Sequence, residues 1–154
     1  MPNDLDPLDR RILLLMQEDA SRSTAEIADM VGMSQSPCWR RIQRLKDEGY
    51  ITRQVAIIDR RKVGLNAQIF ALVKLTMHGR QNLEDFANAI RSYDEVLECH
   101  VLMGTFDFLI RVVAADNDAY QTFFFEKLSS LPGIQEVNSI VSLSEIKSTT
   151  ALPL

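Results

Sequence analysis

The chain has 154 residues, enough for one ordinary domain or two small ones, and 46% of them are hydrophobic, which is typical of a protein with a buried core. A formal net charge of -4 argues against a general binder of polyanions, and the longest apolar runs are too short to span a membrane. The two cysteines do not make a disulfide framework and the N-terminus lacks the pattern of a signal peptide, so the sequence predicts a cytoplasmic protein.

Three short helices are predicted before residue 50. Asp6 or Asp9 caps the first, a capping box of Ser23 and Glu26 begins the second, and Gly32 ends the second in a left-handed conformation. Apolar residues at helical spacing define the inner faces, which comprise Leu8, Ile12, Leu15, Met16, Ile27, Ala28, Val31, Cys38, Ile42 and Leu45. Such short helices bury little separately, so together they predict a helix-turn-helix core.

The third helix begins at Ser34 or Ser36, stops at Gly49 and carries a cluster of basic side chains. Residues 1–62 contain 11 basic and 10 acidic residues, whereas residues 63–154 contain 6 and 11, so this cluster stands out locally. Helix-turn-helix proteins present such a helix to the major groove of DNA. The alternative is a solvated helix face whose basic side chains pair with the acidic residues that follow.

The predicted DNA-binding residues are Ser34, Gln35, Ser36, Trp39, Arg40, Arg41, Gln43, Arg44 and Lys46. Ser36, Arg40 and Gln43 are predicted to read base edges, because Arg and Gln offer paired donors or acceptors. The remaining basic side chains and the backbone amides at the helix start suit phosphates, which position a protein without reading sequence. Trp39 lies on the flank, where it packs against the sugar-phosphate backbone or against the second helix.

The pattern changes after residue 50. Residues 51–64 are interpreted as a linker strand, because Tyr50–Thr52 and Val55–Ile58 have strand character and Asp59–Gly64 is rich in turn residues. The elements predicted within the domain at residues 65–154 are a strand over 67–77, a helix over 82–92, strands over 96–103 and 106–114, a helix from Asp116 or Asn117 to Leu128, and a strand over 134–146. This βαββαβ order predicts a ferredoxin-like domain, and the whole chain an α+β fold with its helix-turn-helix domain over residues 1–50.

Catalytic and metal-binding chemistry is not predicted. No Ser/His/Asp or paired-carboxylate arrangement stands out in the sequence. Cys99 and His100 alternate along a strand and face opposite sides, so with His78 they make a poor zinc set. Cys38 is expected to pack against Ile42 rather than to react. The sequence therefore predicts neither a metal nor a cofactor.

Four segments carry a specific family pattern in order and spacing, namely LDPLDRRILLLMQEDASRS, AEIADMVGMSQSPCWRRIQRLKDEGYI, VLECHVLMGTFDFLIRV and LPGIQEVNSIVSLSEIKSTTALPL. They resemble the Lrp/AsnC family, the feast/famine transcription regulators of bacteria and archaea, and the match covers nearly the whole chain. The Pro-Cys-Trp variant in the second segment and the last residues of the chain resemble a branch that includes cysteine-responsive regulators.

The resemblance implies a DNA-binding transcriptional regulator of amino-acid metabolism. Its helix-turn-helix would be of the winged type, and its second domain would bind a small effector, usually an amino acid, between domains of different protomers. Family members dimerise through the sheet of that domain, and the dimers often assemble into octamers. Paired recognition helices would then read an inverted repeat in double-stranded DNA.

The resemblance also places the effector site by position, at Val101, Met103, Gly104, Thr105, Asp107, Asn117, Ile140, Val141 and Ser142. Gly104 would allow close backbone approach, free amides of its turn would meet a carboxylate, and Asp107 would hold an ammonium group. A hairpin glycine and a strand-end aspartate are the structural alternatives. Thr105 and Ser142 differ from the residues of many relatives, which leaves the identity of the ligand open.

Two other functions compete with this interpretation. Sirohaem decarboxylases are similar in overall architecture, but such an enzyme would need pocket histidines and basic groups for a polycarboxylate macrocycle. This chain has only His78 and His100, and its second half is acidic. A metabolite-sensing partner protein without DNA binding is the second competitor. The sequence favours a regulator that is not an enzyme.

Overall fold

The computed structural model describes residues 5–76 and 79–154, which form two compact units. The first unit contains the residues up to Ile57 together with Lys147–Leu154, and the second contains Ile58–Ile146. The predicted domain boundaries place everything after residue 65 in one domain. The contacts of the C-terminal segment Lys147–Leu154 instead associate it with the first unit.

The first unit contains the three predicted helices, α1 (Pro7–Glu18), α2 (Thr24–Val31) and α3 (Gln35–Asp47). Asp6 caps α1 and Ser23 caps α2, each in a reciprocal capping box that satisfies two backbone amides. Gly32 ends α2 at a φ of 72°, a left-handed conformation that glycine adopts without a steric penalty. The predicted starts of α1 and α2 and the predicted end of α2 are therefore confirmed.

The core of the first unit consists of Ile12, Leu13, Ile27, Ala28, Val31, Cys38, Ile42 and Leu45. Every position predicted to face inward on α2 and α3 is buried there. On α1, however, Leu8, Leu15 and Met16 are only partly buried, whereas Leu13 is buried and was not predicted. Because α1 contacts both α2 and α3, its buried face is displaced from the one that spacing alone suggests.

The linker strand predicted from residue 51 is not formed within this chain. Residues 51–59 have no strand assignment, and residues 60–64 form a turn. The prediction rested on β-branched residues, but strand propensity is realised only where a neighbouring strand supplies hydrogen bonds. The Arg60 guanidinium closes the turn by donating from Nη1 to the carbonyls of Leu65 at 2.7 Å and Asn66 at 2.9 Å.

The second unit has the predicted βαββαβ order, and its elements are β1 (Ala67–Leu75), α4 (Gly79–Arg91), β2 (Val96–Val101), β3 (Phe108–Ala114), α5 (Asn117–Phe123), which continues as a π-helical turn (Phe124–Leu128), and β4 (Ile134–Val141). The strands form one antiparallel sheet in the order β2-β3-β1-β4. This arrangement confirms the ferredoxin-like α+β prediction. The predicted end of the first strand, at Met77, lies outside the described residues.

Two strands end earlier than predicted, and the hydrogen bonds explain why. The strand β2 stops at Val101 because Leu102 N donates to Asp107 O at 2.8 Å and begins the turn to β3. The strand β4 stops at Val141 because its neighbour β1 starts at Ala67 and offers no partner beyond the Ser142 N to Gln68 O bond of 2.8 Å. Residues 143–146 therefore lie outside the sheet.

One face of the sheet packs against the helices and the other is left open. The core side chains from the sheet are Ala67, Ile69, Ala71, Val73, Leu75, Phe108, Ile110, Val112 and Ala114. Phe86 of α4 packs on them, with its ring centroid 4.4 Å from that of Phe108. Leu83 of α4 is 40% exposed, because it lies one turn before Phe86, at the edge of a cleft described below. No helix within the described residues has the length and apolar character of a membrane span.

Candidate DNA-binding surface and effector site

The N-terminal half of α3 exposes a continuous set of predicted DNA-binding residues, Ser34, Gln35, Ser36, Trp39 and Arg40. Trp39 is 53% exposed even though it is the largest apolar side chain of the helix. Ser34 is the N-cap residue, but its hydroxyl makes no capping hydrogen bond in the described part of the chain. The backbone amides of the first turn have no partner within the helix, and together with this hydroxyl they can donate hydrogen bonds to a phosphate.

Gln43, Lys46 and two arginines on the C-terminal half of α3 are partly buried. Arg41 Nη1 donates to Asp6 Oδ2 at 2.5 Å and to Asp9 Oδ1 at 2.8 Å, and Arg44 Nη2 donates to Asp9 Oδ2. These hydrogen bonds raise the pKa of both guanidinium groups, mainly through Asp6 for Arg41 and through Asp9 for Arg44. The start of α1 is thereby linked to α3 by charged, directional contacts.

Asp9 is the centre of this acid–arginine cluster, which comprises Asp6, Asp9, Arg41 and Arg44. Its side chain has no exposed surface, and both of its oxygens are paired with arginines. Sequence analysis missed this contact and assigned both arginines to phosphates. The available signal was the matched spacing, since Asp6 and Asp9 on one helix and Arg41 and Arg44 on another are each three residues apart. A phosphate contact by these arginines stays a prediction, because their side chains are 30% and 41% exposed.

The first part of the predicted effector site, the hairpin group, comprises Val101, Met103, Gly104, Thr105 and Asp107. Val101 is paired with Phe108 at the end of β2, and the other four residues follow in the turn to β3. Three of them line a cleft of about 650 Å³ whose walls are Lys74, Leu75, Thr76, Leu83, Gly104, Thr105, Asp107 and Gln135. Sequence analysis did not identify the residues that β1, α4 and β4 contribute to this cleft.

Asp107 has a structural role that limits what its carboxylate can also do. Its Oδ2 accepts a hydrogen bond from Leu75 N at 2.7 Å, and its own amide donates to Val73 O at 2.9 Å. Both contacts fix the turn against the end of β1. An ammonium group would therefore meet a carboxylate that is already held in position by backbone.

Gly104 differs from the glycines of this chain that have a positive φ. Those with a positive φ are Gly32, Gly49, Gly64 and Gly133. A Cβ built at Gly104 meets nothing within 4 Å of the described structure, so neither backbone conformation nor packing in this chain requires a glycine there. A role of Gly104 in the close approach of a ligand stays a prediction, as does the hairpin-glycine alternative.

The second part of the predicted effector site, the strand-end group, comprises Asn117, Ile140, Val141 and Ser142. Ile140 and Val141 pair with Phe70 and Ile69 near the start of β1, and Asn117 begins α5 just after β3 ends. Ser142 binds Gln68, whereas Asp107 binds Leu75, seven positions further along β1. At about 3.3 Å per residue, the two groups are about 23 Å apart. A single copy of the chain does not bring them together.

The positions of Cys38, Cys99 and His100 agree with those expected from the sequence. Cys38 has no exposed surface, and burial raises the pKa of its thiol, as expected for a core residue. Cys99 pairs with Ile110 and His100 with Leu109, so the two side chains project from opposite faces of the sheet. No cluster of three or more potential metal ligands occurs among residues 5–76 and 79–154. His78 lies outside the described residues.

A unit that exposes the start of a basic helix, joined in one chain to a ferredoxin-like unit, defines a class of DNA-binding transcriptional regulator. A family model for winged helix-turn-helix DNA-binding matches residues 5–52, and a model for the Lrp/AsnC ligand binding domain matches residues 68–152. The chain belongs to the Lrp/AsnC family, which confirms the resemblance seen in its sequence.

Several known proteins match the chain over almost its full length. The DNA-binding transcriptional activator DecR of Escherichia coli is 35% identical over 150 residues, which cover 97% of this chain and 99% of that protein. The proline dehydrogenase transcriptional activator of Rhizobium radiobacter is 38% identical over 147 residues, covering 96% and 94%. A crystal structure of a transcriptional regulator from Neisseria meningitidis in complex with L-Met is 36% identical, superimposes with a TM-score of 0.94 and covers 97% of this chain and 96% of that one.

Proposed function

We propose that this regulator acts on genes of amino-acid metabolism by binding inverted-repeat operators as a homodimer, and that an amino acid modulates its binding. The observation that carries the proposal is the exposed N-terminal half of α3, where Ser36 and Arg40 are solvent-accessible while Ile42 and Leu45 anchor the helix in the core. This arrangement leaves the helix start free to enter a major groove, where Arg40 would read a guanine edge.

The open face of the sheet supports dimerisation. Strand alternation places Phe70 and Leu72 of β1 and Leu109 of β3 on that face, and all three are partly buried in the single chain. Gln68 is on the same face and only 3% exposed, and its Oε1 has no hydrogen-bond partner among the described residues. A second copy packed on this face would cover the apolar centre, and dimers would assemble further into octamers.

The separation of the two effector groups supports a ligand site between copies. The hairpin group and the strand-end group lie at opposite ends of one sheet, so only residues from different copies can line one small site. The relative solved with L-Met makes an amino acid the first ligand class to test. Its carboxylate would meet free amides near Gly104, and its ammonium group would lie near Asp107.

We propose a regulator rather than a decarboxylase. The residues that line the cleft beside Gly104 include one lysine and no histidine within the described part of the chain. A polycarboxylate macrocycle would need more basic groups than this cleft supplies. A shift in tetrapyrrole absorbance on titration into the protein would support the enzyme instead.

The DNA assignment is tested by fluorescence anisotropy with a promoter fragment that the wild-type protein retards in a mobility-shift assay. Arg40→Ala should weaken specific binding roughly tenfold or more, because a bidentate contact to a base contributes about 1–3 kcal/mol. Arg91→Ala is the matched control, since it removes the same charge from the end of α4 in the second unit. Equal loss with the two variants, or no loss with Arg40→Ala, contradicts the assignment.

The effector assignment is tested by a thermal-shift screen of the twenty amino acids. A ligand that binds the folded state raises the melting temperature, and the shift grows with the ligand concentration relative to its Kd. Asp107→Asn is the variant of choice, because the amide keeps an oxygen for Leu75 N and loses only the charge. Stabilisation of the wild type that persists unchanged in Asp107→Asn would remove Asp107 from the site.

A further inference from the structure

The C-terminal segment Lys147–Leu154, here called the strap, folds with the three helices although it follows β4 in sequence. It is hydrogen-bonded to α1 through a single side chain. Gln17 Nε2 donates to Leu152 O at 3.2 Å, and Leu152 N donates to Gln17 Oε1 at 2.6 Å. The Gln17 amide therefore satisfies both backbone groups of one residue, as a neighbouring strand would.

The strap also borders apolar surface. Thr149 Oγ1 accepts from Ala151 N at 3.1 Å, which shapes the backbone just before Leu152. Leu152 and Leu154 then form one wall of a cavity of about 710 Å³. Its other apolar walls come from Leu5 before α1, from Leu13 and Met16 of α1, and from Tyr50, Ile51, Val55 and Ile57. None of the described lining residues belongs to α3, so the strap leaves the predicted DNA surface uncovered within this unit.

The strap and the linker start from the same corner of the sheet. The linker enters β1 at Ala67, and the strap follows β4 after Val141. These two points are neighbours, because Val141 pairs with Ile69 and Ser142 N donates to Gln68 O at 2.8 Å. Residues 58–66 lead from the first unit to this corner of the sheet, and residues 142–146 lead from the corner to the strap. The strand-end group of the predicted effector site lies at this corner.

We propose that the strap is a second tether of the DNA-binding unit, which docks on α1 through Gln17 and transmits changes at the strand-end group to α1 and residues 50–57. The docking follows from contacts within the first unit alone. The transmission rests on the proposed effector site. A ligand that moves Ile140–Ser142 would pull or release the strap, and with it the end of α1.

The docking is tested by hydrogen exchange on the full-length protein and three variants. Gln17→Ala removes both hydrogen bonds, Gln17→Glu keeps the acceptor and loses the donor, and a stop after Ile146 removes the strap. Amide exchange at the end of α1 and in residues 50–57 should rise roughly tenfold in Gln17→Ala and in the truncated chain, and less in Gln17→Glu. Gln121→Ala, at an exposed position of α5, is the matched control and should leave exchange in these segments unchanged. If the amides of these segments exchange at the wild-type rate in both the truncated chain and Gln17→Ala, the docking is wrong.

The transmission is tested by operator affinity measured with and without L-methionine as the probe. If L-methionine changes the operator affinity of the wild type, the ratio of the affinities with and without L-methionine should fall toward one in Gln17→Ala and in the truncated chain. The thermal shift caused by L-methionine should persist in both. An unchanged ratio in both variants overturns the transmission. If L-methionine neither binds nor changes operator affinity in the wild type, the transmission fails together with the assignment of L-methionine as the amino-acid effector. The docking is still decided by hydrogen exchange.

Discussion

Each of the two units is stabilised internally by different contacts. The second unit has a large apolar core in which the sheet packs against α4 and α5, with Phe86 at the contact with Phe108. The first unit has a smaller apolar core, and the fully buried carboxylate of Asp9 joins α1 to α3 through two arginines. Apolar contacts tolerate small rotations of a helix, whereas paired charges do not. The charged contact fixes the orientation of α3, the helix that we propose enters the major groove.

The largest expected effect tests the apolar side of this contrast. Phe86→Ala should destabilise the second unit by about 3–5 kcal/mol, because the side chain is 1% exposed and its removal leaves a cavity. The effect is measured by hydrogen exchange of β1 and β3, with amides of α1 to α3 as the internal reference. Leu83→Ala on the same helix is the matched control, and its 40% exposure predicts a loss of less than about 1 kcal/mol.

The next effect tests the charged side. Asp9→Asn should destabilise the first unit by about 2 kcal/mol, below the usual range for a broken buried pair because both arginines are partly exposed. Specific operator binding should weaken more than nonspecific binding, since α3 loses its fixed orientation while its basic charge is retained. Asp29→Asn, an exposed position on α2, carries the same charge change as a control. Equal losses of specific and nonspecific affinity would show that Asp9 stabilises the first unit but does not fix the orientation of α3 for DNA recognition.

The contrast also explains which features could be predicted from sequence. Caps such as Ser23 with Glu26, and buried positions such as Ile42 on a periodic helix, depend on residues close in sequence and were predicted. The Asp9 cluster was missed because its partners are 32 and 35 residues away, and a buried aspartate looks polar to any periodicity argument. The prediction of a linker strand was wrong for a related reason. The sequence shows the strand propensity of Val55 but does not show whether a neighbouring strand supplies hydrogen bonds.

The predicted effector residues show the same limit at a longer range. Their positions in sequence were carried over from a family, and the strands near them were predicted in the correct order but with longer bounds than observed. The antiparallel pairings nevertheless place Gly104 and Ser142 at opposite ends of β1. A site shared by several copies has no signature in the spacing of one chain. Topology was needed to show that these residues do not meet within one copy of the chain.

A smaller loss of stability is expected for substitution of one glycine, Gly32 in the first unit, but not for Gly104 in the second. Gly32→Ala should destabilise the first unit by about 1 kcal/mol, because a residue with a Cβ adopts a φ of 72° only at a steric penalty. Gly104→Ala should have little effect on stability, since its φ is not left-handed and a Cβ there has open space. If Gly104 serves close approach of a ligand, this variant should lose the amino-acid thermal shift while keeping its unliganded melting temperature. A retained shift would return Gly104 to an unremarkable turn residue.

The smallest effect concerns pH and the charged cluster of the first unit. The Asp9 amide and the Arg41 guanidinium lower the pKa of Asp6 below its usual value near 3.8, so the folded state favours the carboxylate. A lowered folded pKa means that this stabilisation is complete above the unfolded pKa and is lost as the pH falls through the folded one. Asp6→Asn keeps a good cap and removes the charge. In urea unfolding of the first unit, the advantage of the wild type over Asp6→Asn should therefore be constant from pH 7 to about pH 5 and should shrink below about pH 4. An advantage that persists unchanged in acid would show that Asp6 acts as a neutral cap and that the cluster is centred on Asp9 alone.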